Sequence, residues 1–241
     1  PDNRKGSNMK TSAIIRIVCG VIVASLLSWI LFFAILPGNS NWFPNIGFSF
    51  GNGYANADAY SVGGSSIPME QIDQIEINWM AGQVQVETYS GSEIIFEEQS
   101  GKALEEEQQM RYRVSDGKLT IQYAKSQVFR FFHFSRVHKT LTIKIPKELV
   151  KFELNTVSAK ADIDRLQAKS GNLNTTSGDI ELRNTVFGEL DADSVSGNFY
   201  LTNATAQNAA FSTVSGDIKT DNFVCEEIKT DTVSGKATLI G

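Results

Sequence analysis

Residues 194–220 read SVSGNFYLTNATAQNAAFSTVSGDIKT, and this stretch decides the fold. It opens on Ser194-Val195-Ser196-Gly197 and returns, nineteen residues later, to Thr213-Val214-Ser215-Gly216. Outward from it, Thr156-Val157-Ser158-Ala159 and Thr175-Thr176-Ser177-Gly178 stand before it in the same register. Thr232-Val233-Ser234-Gly235 stands after it, so Ser158, Ser177, Ser196, Ser215 and Ser234 recur without a slip. Past each turn come alternate residues of one kind: Ala161 and Ile163, Ile180 and Leu182, Phe199 and Leu201, Ile218 and Thr220, Ala237 and Leu239. A second apolar cluster follows in each unit: Leu166 and Leu173, Val186 and Leu190, Ala209 and Phe211, Val224 and Ile228.

A fixed interval near twenty residues, with two short strands and two turns per unit, means stacked coils. One unit is too small to bury its own apolar face, so each is completed by its neighbours, roughly 4.8 Å away. Ile163 should then lie on Leu182 and Leu201, and Val195 on Val214 and Val233. The expected fold class is all-β, a single-chain β-solenoid. The fifth unit stops at Gly241, eleven residues into nineteen. A last strand without cover presents unpaired main-chain groups; a continuing chain, a short tolerated edge or an added partner would each answer that.

The recurring Ser-Gly of Ser177-Gly178, Ser196-Gly197, Ser215-Gly216 and Ser234-Gly235 invites a nucleophile reading. Five copies in register, counting Ser158-Ala159, argue for scaffold instead. Gly is expected to take a positive φ at the bend and to let coils approach, and Ser to bond nearby backbone. Asp179, Asn198 and Asp217, which follow, read as turn residues.

Ahead of the repeats, Ile75, Ile77 and Trp79 alternate with polar residues, as do Val84 and Val86, Met110 to Val114, Leu119 to Tyr123, and Leu141 to Ile145. This is the period-two pattern of half-buried strands. Ala81-Gly82, Ser90-Gly91 and Asp116-Gly117 supply turns, the last a tight hairpin signal. Only Ala103–Gln109 looks helical, and briefly.

Within this region residues 129–139 read FRFFHFSRVHK. The functional reading is a basic aromatic contact patch for phospholipid headgroups or an anionic wall polymer, made by Arg130, Phe131, Phe132, His133, Phe134, Arg136, His138 and Lys139. The plainer reading is a strand or loop whose Phe side chains cover the core while its basic residues face water. His133 and His138, without a neighbouring carboxylate or cysteine, make a poor metal site, so neither metal nor cofactor is expected.

The charge is split along the chain. Residues 1–16 hold Arg4, Lys5, Lys10 and Arg16 against Asp2, a balance of +3, and residues 37–241 carry −8, together the −5 of the whole chain. Between them Ile17–Leu36 has no charged residue. Twenty helical residues span roughly 30 Å, the hydrocarbon thickness of a bilayer. Lys and Arg stay cytoplasmic, so the N-terminus is expected inside and the C-terminal part outside. The run is longer than the roughly 7–15 apolar residues of a signal peptide, although Ala55-Asn56-Ala57 fits a cleavage triplet; an uncleaved single-pass anchor is expected at the cell membrane. Gly20, Ala24 and Ser28 make a small-residue face at the spacing that packs helices. Cys19 in the membrane and Cys225 outside cannot pair within the chain, and Cys225 reads as a small buried residue. The resulting organisation is a cytoplasmic basic tail over 1–12, a transmembrane helix over 13–36, a Gly- and aromatic-rich linker over 37–69, an irregular β region over 70–150, and the nineteen-residue solenoid over 151–241.

The hydrophobic run, the Gly-rich tether, the segment Ile75–Glu87 (IEINWMAGQVQVE) and the TVSGDIKT-type units resemble the adhesin-like β-strand-repeat family, also called the toastrack domain. The resemblance covers about Gln71 to Gly241. It implies a single-chain β-solenoid, a place in the bacterial cell envelope, commonly of Gram-positive species, and links to envelope-stress systems. It carries no catalytic residues.

Several function classes are excluded or weakened. The acidic balance excludes a basic nucleic-acid binder, and no phosphate loop or dinucleotide fingerprint occurs. Both histidines lie in one loop, away from the serine ladder, so a serine triad is not indicated. No small-molecule substrate is indicated. What remains is an extracytoplasmic interaction scaffold, meeting an envelope protein or an anionic wall polymer. The alternative is a sensory or structural partner of an envelope-stress system, working through Gly20, Ala24 and Ser28. A wall-glycan enzyme would need two carboxylates about 5–9.5 Å apart in a groove; Asp162, Asp164, Asp179, Glu181 and Asp217 are the carboxylates on hand.

Overall fold

The computed structural model describes residues 59–125, 138–146 and 148–241. The expected membrane helix, with Gly20, Ala24 and Ser28, and the linker up to residue 58 lie outside the described residues. Among the described residues no helix is long and apolar enough to cross a membrane.

The chain forms strands that stack into two parallel ladders. Each repeat sends one strand to each ladder, because a turn separates two apolar stretches too short to fold alone. The first ladder runs through β3 (Gln74–Trp79), β9 (Leu149–Thr156), β11 (Gln167–Thr175) and β13 (Val186–Ser194). It continues through the later parts of β14 (Phe199–Thr213) and β15 (Ile218–Thr232). The second runs through β4 (Gly82–Thr88), β10 (Lys160–Asp164) and β12 (Ile180–Arg183), the first parts of β14 and β15, and β16 (Ala237–Thr238). Inward residues of both ladders join one apolar cluster.

The segment Gln74–Thr88 is itself a rung: Trp79 pairs with Thr156, Val84 with Ala161 and Val86 with Ile163. Below it lie β7 (Lys118–Gln122) and β8 (Lys139–Ile145), still parallel to β3 and β4. The direction then reverses. β6 (Arg111–Ser115) runs antiparallel to β7 and β5 (Glu93–Ser100) antiparallel to β8, with the short β1 (Ser61–Val62) and β2 (Ser65–Pro68) outside them. The irregular region expected over 70–150 therefore supplies rungs to the same ladders. Asp116 and Gly117 both take positive φ, 53° and 77°, and close the β6–β7 hairpin as read from the sequence. The brief helical signal is one 3-10 turn, Glu106–Gln108.

The expected columns form. Ile163, Leu182 and Leu201 pair in one line and are shielded from solvent. Val195, Val214 and Val233 also recur on one side of the stack, each N–H bonding the coil before it, at 3.2–3.3 Å. They are not core: Val233 is 47% exposed, and the buried turn positions are the preceding Thr156, Thr175, Ser194 and Thr213. The second apolar cluster is corrected in part. Leu166, Leu173, Leu190, Ala209 and Phe211 face inward, but Val186 and Val224 are 45% and 59% exposed. They share a column with Gln167 and Thr205, one residue away from the inward column Ala168, Phe187, Ala206 and Cys225. Pairing also skips Lys169, Gly188, Gln207 and Glu226, where two successive residues turn outward in each coil. A strict period-two reading runs out of phase there.

The two corners are built differently. At the first, glycine is needed for space: a Cβ on Gly197 would sit 2.0 Å from the Gly178 carbonyl oxygen, and one on Gly216 equally close to that of Gly197. The expected positive φ is absent at Gly178, Gly197, Gly216 and Gly235; among described glycines only Gly63, Gly82 and Gly117 have it. At the second corner the left-handed conformation falls on Arg165, Asn184, Asn203 and Asn222, with φ of 52–58°. Asparagine enters that region more readily than any β-branched residue. Its amide also ties coil to coil: Asn184 Nδ2 donates to Asp164 (2.9 Å), Asn203 to Asn184 (3.4 Å) and Asn222 to Asn203 (2.8 Å).

Candidate interaction surfaces

The expected contact patch is placed only at its end. Arg130, Phe131, Phe132, His133, Phe134 and Arg136 lie outside the described residues, and His138 is exposed. Lys139 corrects the sequence reading. It is 1% exposed and so cannot serve a surface patch. The alternation of β8 explains this, since Lys139 falls on the inward side with Leu141, Ile143 and Ile145. Counting back two residues from Leu141 would have found it.

The buried ammonium is fully engaged. Its Nζ lies 2.5 Å from Glu98 Oε1 on β5 and donates to the Gln108 carbonyl at 2.7 Å and to the Tyr123 carbonyl. That uses the three protons a lysine carries. The charge also sits 3.8 Å from the Tyr123 ring centroid and 5.1 Å from that of Trp79, which meet edge to face at 5.0 Å. Glu98 takes the Met110 N–H on its other oxygen, at 3.1 Å. Burial pushes Lys139 down to about 8 against the opposing pull of Glu98, and burial with the Glu98 charge pushes Tyr123 up to about 12. The cluster joins β3, β5, β8 and the 3-10 turn, where the parallel stack meets its antiparallel cap.

The outer faces carry ladders of polar side chains. On the second ladder Asp162 holds Lys160 at 3.1 Å and Arg183 at 3.7 Å, and accepts from Gln83 Nε2 at 2.7 Å. Glu181 holds Arg183 at 2.7 Å and Lys160 at 3.2 Å. Burial raises the Asp162 pKa, but Gln83 and Lys160 outweigh it and hold the carboxyl below its ordinary value. Asp179, Asn198 and Asp217 form a turn ladder: each side chain accepts the N–H nineteen residues on, at Asn198, Asp217 and Lys236, over 2.8–3.0 Å. On the first ladder Asn155 donates to Asn78 at 2.9 Å and Asn174 to Asn155 at 3.0 Å. The sequence reading missed the asparagine ladders, although Asn184, Asn203 and Asn222 repeat at the same interval as the serines.

The repeated serines act as turn residues. Ser158 Oγ donates to the Met80 carbonyl at 3.2 Å and Ser177 Oγ to that of Val157 at 3.1 Å. The turn is closed from within by the residue before the valine column, as Thr213 Oγ1 accepts the Gly216 N–H at 2.8 Å. An open cleft of about 850 Å³ lies by the second corner, lined by Tyr89, Pro146, Gln167 and Asn184 with Glu87 and Arg165. Its one carboxylate, Glu87, is 3.2 Å from Lys144 and 4.0 Å from Arg165, so the paired carboxylates of glycan hydrolysis are not assembled in it. Among the described residues no group of three or more His, Cys, Asp and Glu is placed to hold a metal ion.

Solved structures resemble the chain at low identity. A proposed cell adhesion protein from Clostridium sporogenes is 8% identical, with 74% of this chain and 97% of that chain covered and a TM-score of 0.40. A proposed lipid-binding protein from Parabacteroides distasonis is 17% identical, covering 75% and 79%, TM-score 0.42. A proposed adhesin from Parabacteroides merdae is 17% identical, covering 77% and 81%, TM-score 0.41. A comparison with curated proteins finds no match. The family model described as Toastrack DUF4097 matches residues 66–239, through the rungs, corners and cap just described, and the chain belongs to that family.

Proposed function

We propose that the chain is a membrane-anchored, extracytoplasmic interaction scaffold of the bacterial cell envelope, adhesin-like in its use of a rigid repeat stack. The observation that carries this reading is the outward regularity of the stack. Amide and carboxylate side chains recur at fixed height on each rung, from Asp164 through Asn184 and Asn203 to Asn222, on a backbone locked by coil-to-coil bonds. Such a surface suits an extended or repetitive partner, an envelope protein or an anionic wall polymer, better than a compact small molecule. The uncharged run Ile17–Leu36 behind a basic flank supports the anchor and its orientation.

Two measurements test it. Externally added protease should digest residues beyond 60 in intact protoplasts while leaving an N-terminal tag protected; the reverse pattern overturns the topology. The purified chain should retain wall polymer or envelope proteins in a pull-down, and Asn184→Ala with Asn203→Ala should weaken retention. An undiminished pull-down would move the contact away from the second corner. Co-purification of a membrane partner lost on Gly20→Ile and Ala24→Ile, with polymer binding unaffected, would favour the sensory alternative.

A further inference from the structure

The rung Gln74–Thr88 treats the second corner differently from the coils above it. Those coils cross it directly from the second ladder to the first, Asp164 to Gln167 through Arg165 and Arg183 to Val186 through Asn184. Here β4 leaves at Tyr89 for the antiparallel β5. The chain comes back on β8, one level below β4, and next enters β9, one level above β3. The cleft of about 850 Å³ opens at this altered corner. Tyr89 and Gly91 of the departing chain border it, with Pro146 of the returning chain and Arg165, Gln167 and Asn184 of the coils above.

We propose that this cleft binds the uncharged sugar rings of an envelope polysaccharide, a site that rests on the scaffold reading and gives its partner a chemistry at the second corner. The Tyr89 ring is half-buried and held in place. Its N–H bonds the Ile145 carbonyl at 3.1 Å, and its hydroxyl donates to the Glu93 carbonyl at 2.5 Å. The ring rests on Gly91, where a Cβ would come within 2.3 Å of it. With Pro146 it offers rigid apolar surface amid polar groups, the mixture that suits a pyranose, whose C–H face stacks while its hydroxyls bond at the rim. The charges around it cancel. Glu87 lies 3.2 Å from Lys144, and Arg165 lies 3.1 Å from Asp164 and 4.0 Å from Glu87. An ion of either sign would meet its own charge there, and a wholly apolar ligand would strip these groups of water without replacing its bonds. Hydroxyls can replace them. Asn184 is already oriented, its Nδ2 on Asp164 at 2.9 Å. The exposed Gln167 amide has no partner among the described residues and is available to a ligand.

The test titrates the full chain, in mild detergent, with the neutral β-1,4-linked tetramers of N-acetylglucosamine and of glucose, read by calorimetry. At least one tetramer should bind with a Kd of about 1 mM or tighter. Tyr89→Ala should weaken it about tenfold, and Tyr89→Phe, which keeps the ring, by no more than about twofold. Gln167→Ala, at an exposed position where folding is not at stake, should weaken it about threefold. Tyr200→Ala, on β14 of the same ladder and away from the cleft, should leave it unchanged. Poly(glycerol phosphate), the anionic control, should not compete. Failure of both tetramers to bind overturns the site. So does affinity indifferent to Tyr89→Ala and Gln167→Ala, a loss shared by Tyr200→Ala, or displacement by the phosphate polymer. If the site fails in this way while envelope material is still retained in the pull-down, the scaffold reading stands without it. Tetramer binding that depends on Tyr89 while the pull-down is empty keeps the site and removes the scaffold reading.

Discussion

Lys139 Nζ and Glu98 Oε1 lie 2.5 Å apart in the core, the lysine side chain wholly shielded and the glutamate nearly so. They join β8, the last parallel strand at the N-terminal end of its ladder, to β5, the first antiparallel one. A pair of this kind is costly to break from one side, because the remaining charge stays buried.

Lys139→Met is therefore expected to cost about 3–5 kcal/mol of stability. Lys139→Met with Glu98→Leu should recover most of that loss, because neither charge is then left without its partner. Urea denaturation of the two variants checks this. A single variant as stable as the wild type would show that the pair does not hold the cap.

The same cluster predicts a pH dependence. Lys139 is pushed down to about 8 from 10.5, so between those values the unfolded chain binds more protons and stability rises with pH. Tyr123 is pushed up to about 12 from 10, so its contribution is intact below 10 and is lost as pH climbs from there towards 12. The urea midpoint should rise from pH 8 to about pH 10 and then fall. The double variant, without the lysine, should lose the rise; a wild type and double variant with parallel curves would contradict the assignment.

At the first corner glycine and serine should separate cleanly. Gly197→Ala places a methyl group against the Gly178 carbonyl and should cost about 2 kcal/mol or more. Ser177→Ala removes one exposed hydrogen bond to the Val157 carbonyl and should cost about 1 kcal/mol or less. Thermal melts of both variants decide; the opposite order would make the hydroxyl, not the space, the reason for the repeat.

At the second corner conformation should matter more than the side chain. Asn203 has φ of 52°, so Asn203→Val should cost about 2 kcal/mol, whereas Asn203→Gly keeps the backbone and loses only the amide ladder. Equal melting temperatures for the two variants would remove the strain argument.

Much of this architecture is legible in the text of the chain, and the exceptions have physical causes. The serine spacing gives the stacking direction and the Ile163–Leu182–Leu201 column because parallel coils in register repeat their environments. Val186 and Val224 mislead because the strand slips phase at Gly188 and Glu226, and an apolar residue one place from an inward column looks inward. Lys139 misleads because its charge argues for the surface, while its partner Glu98 lies on a strand that only the fold brings near. The asparagine corner is written in the nineteen-residue spacing of Asn184, Asn203 and Asn222, but polar residues at that spacing look the same as any solvated face beside the conspicuous Ser-Gly. The patch residues Arg130 to Arg136 lie outside the described residues, and the surface reading of that segment stands as an expectation.

The central claim is that the chain climbs by one strand spacing for every nineteen residues. Spin labels on exposed Ser158 and Ser215, three coils apart, and on Ser158 and Ser234, four coils apart, measure it directly once Cys19 and Cys225 are replaced by serine. The account predicts separations of about 14 Å and about 19 Å, rising by about 4.8 Å per coil. Separations that do not lengthen with each added repeat would contradict it.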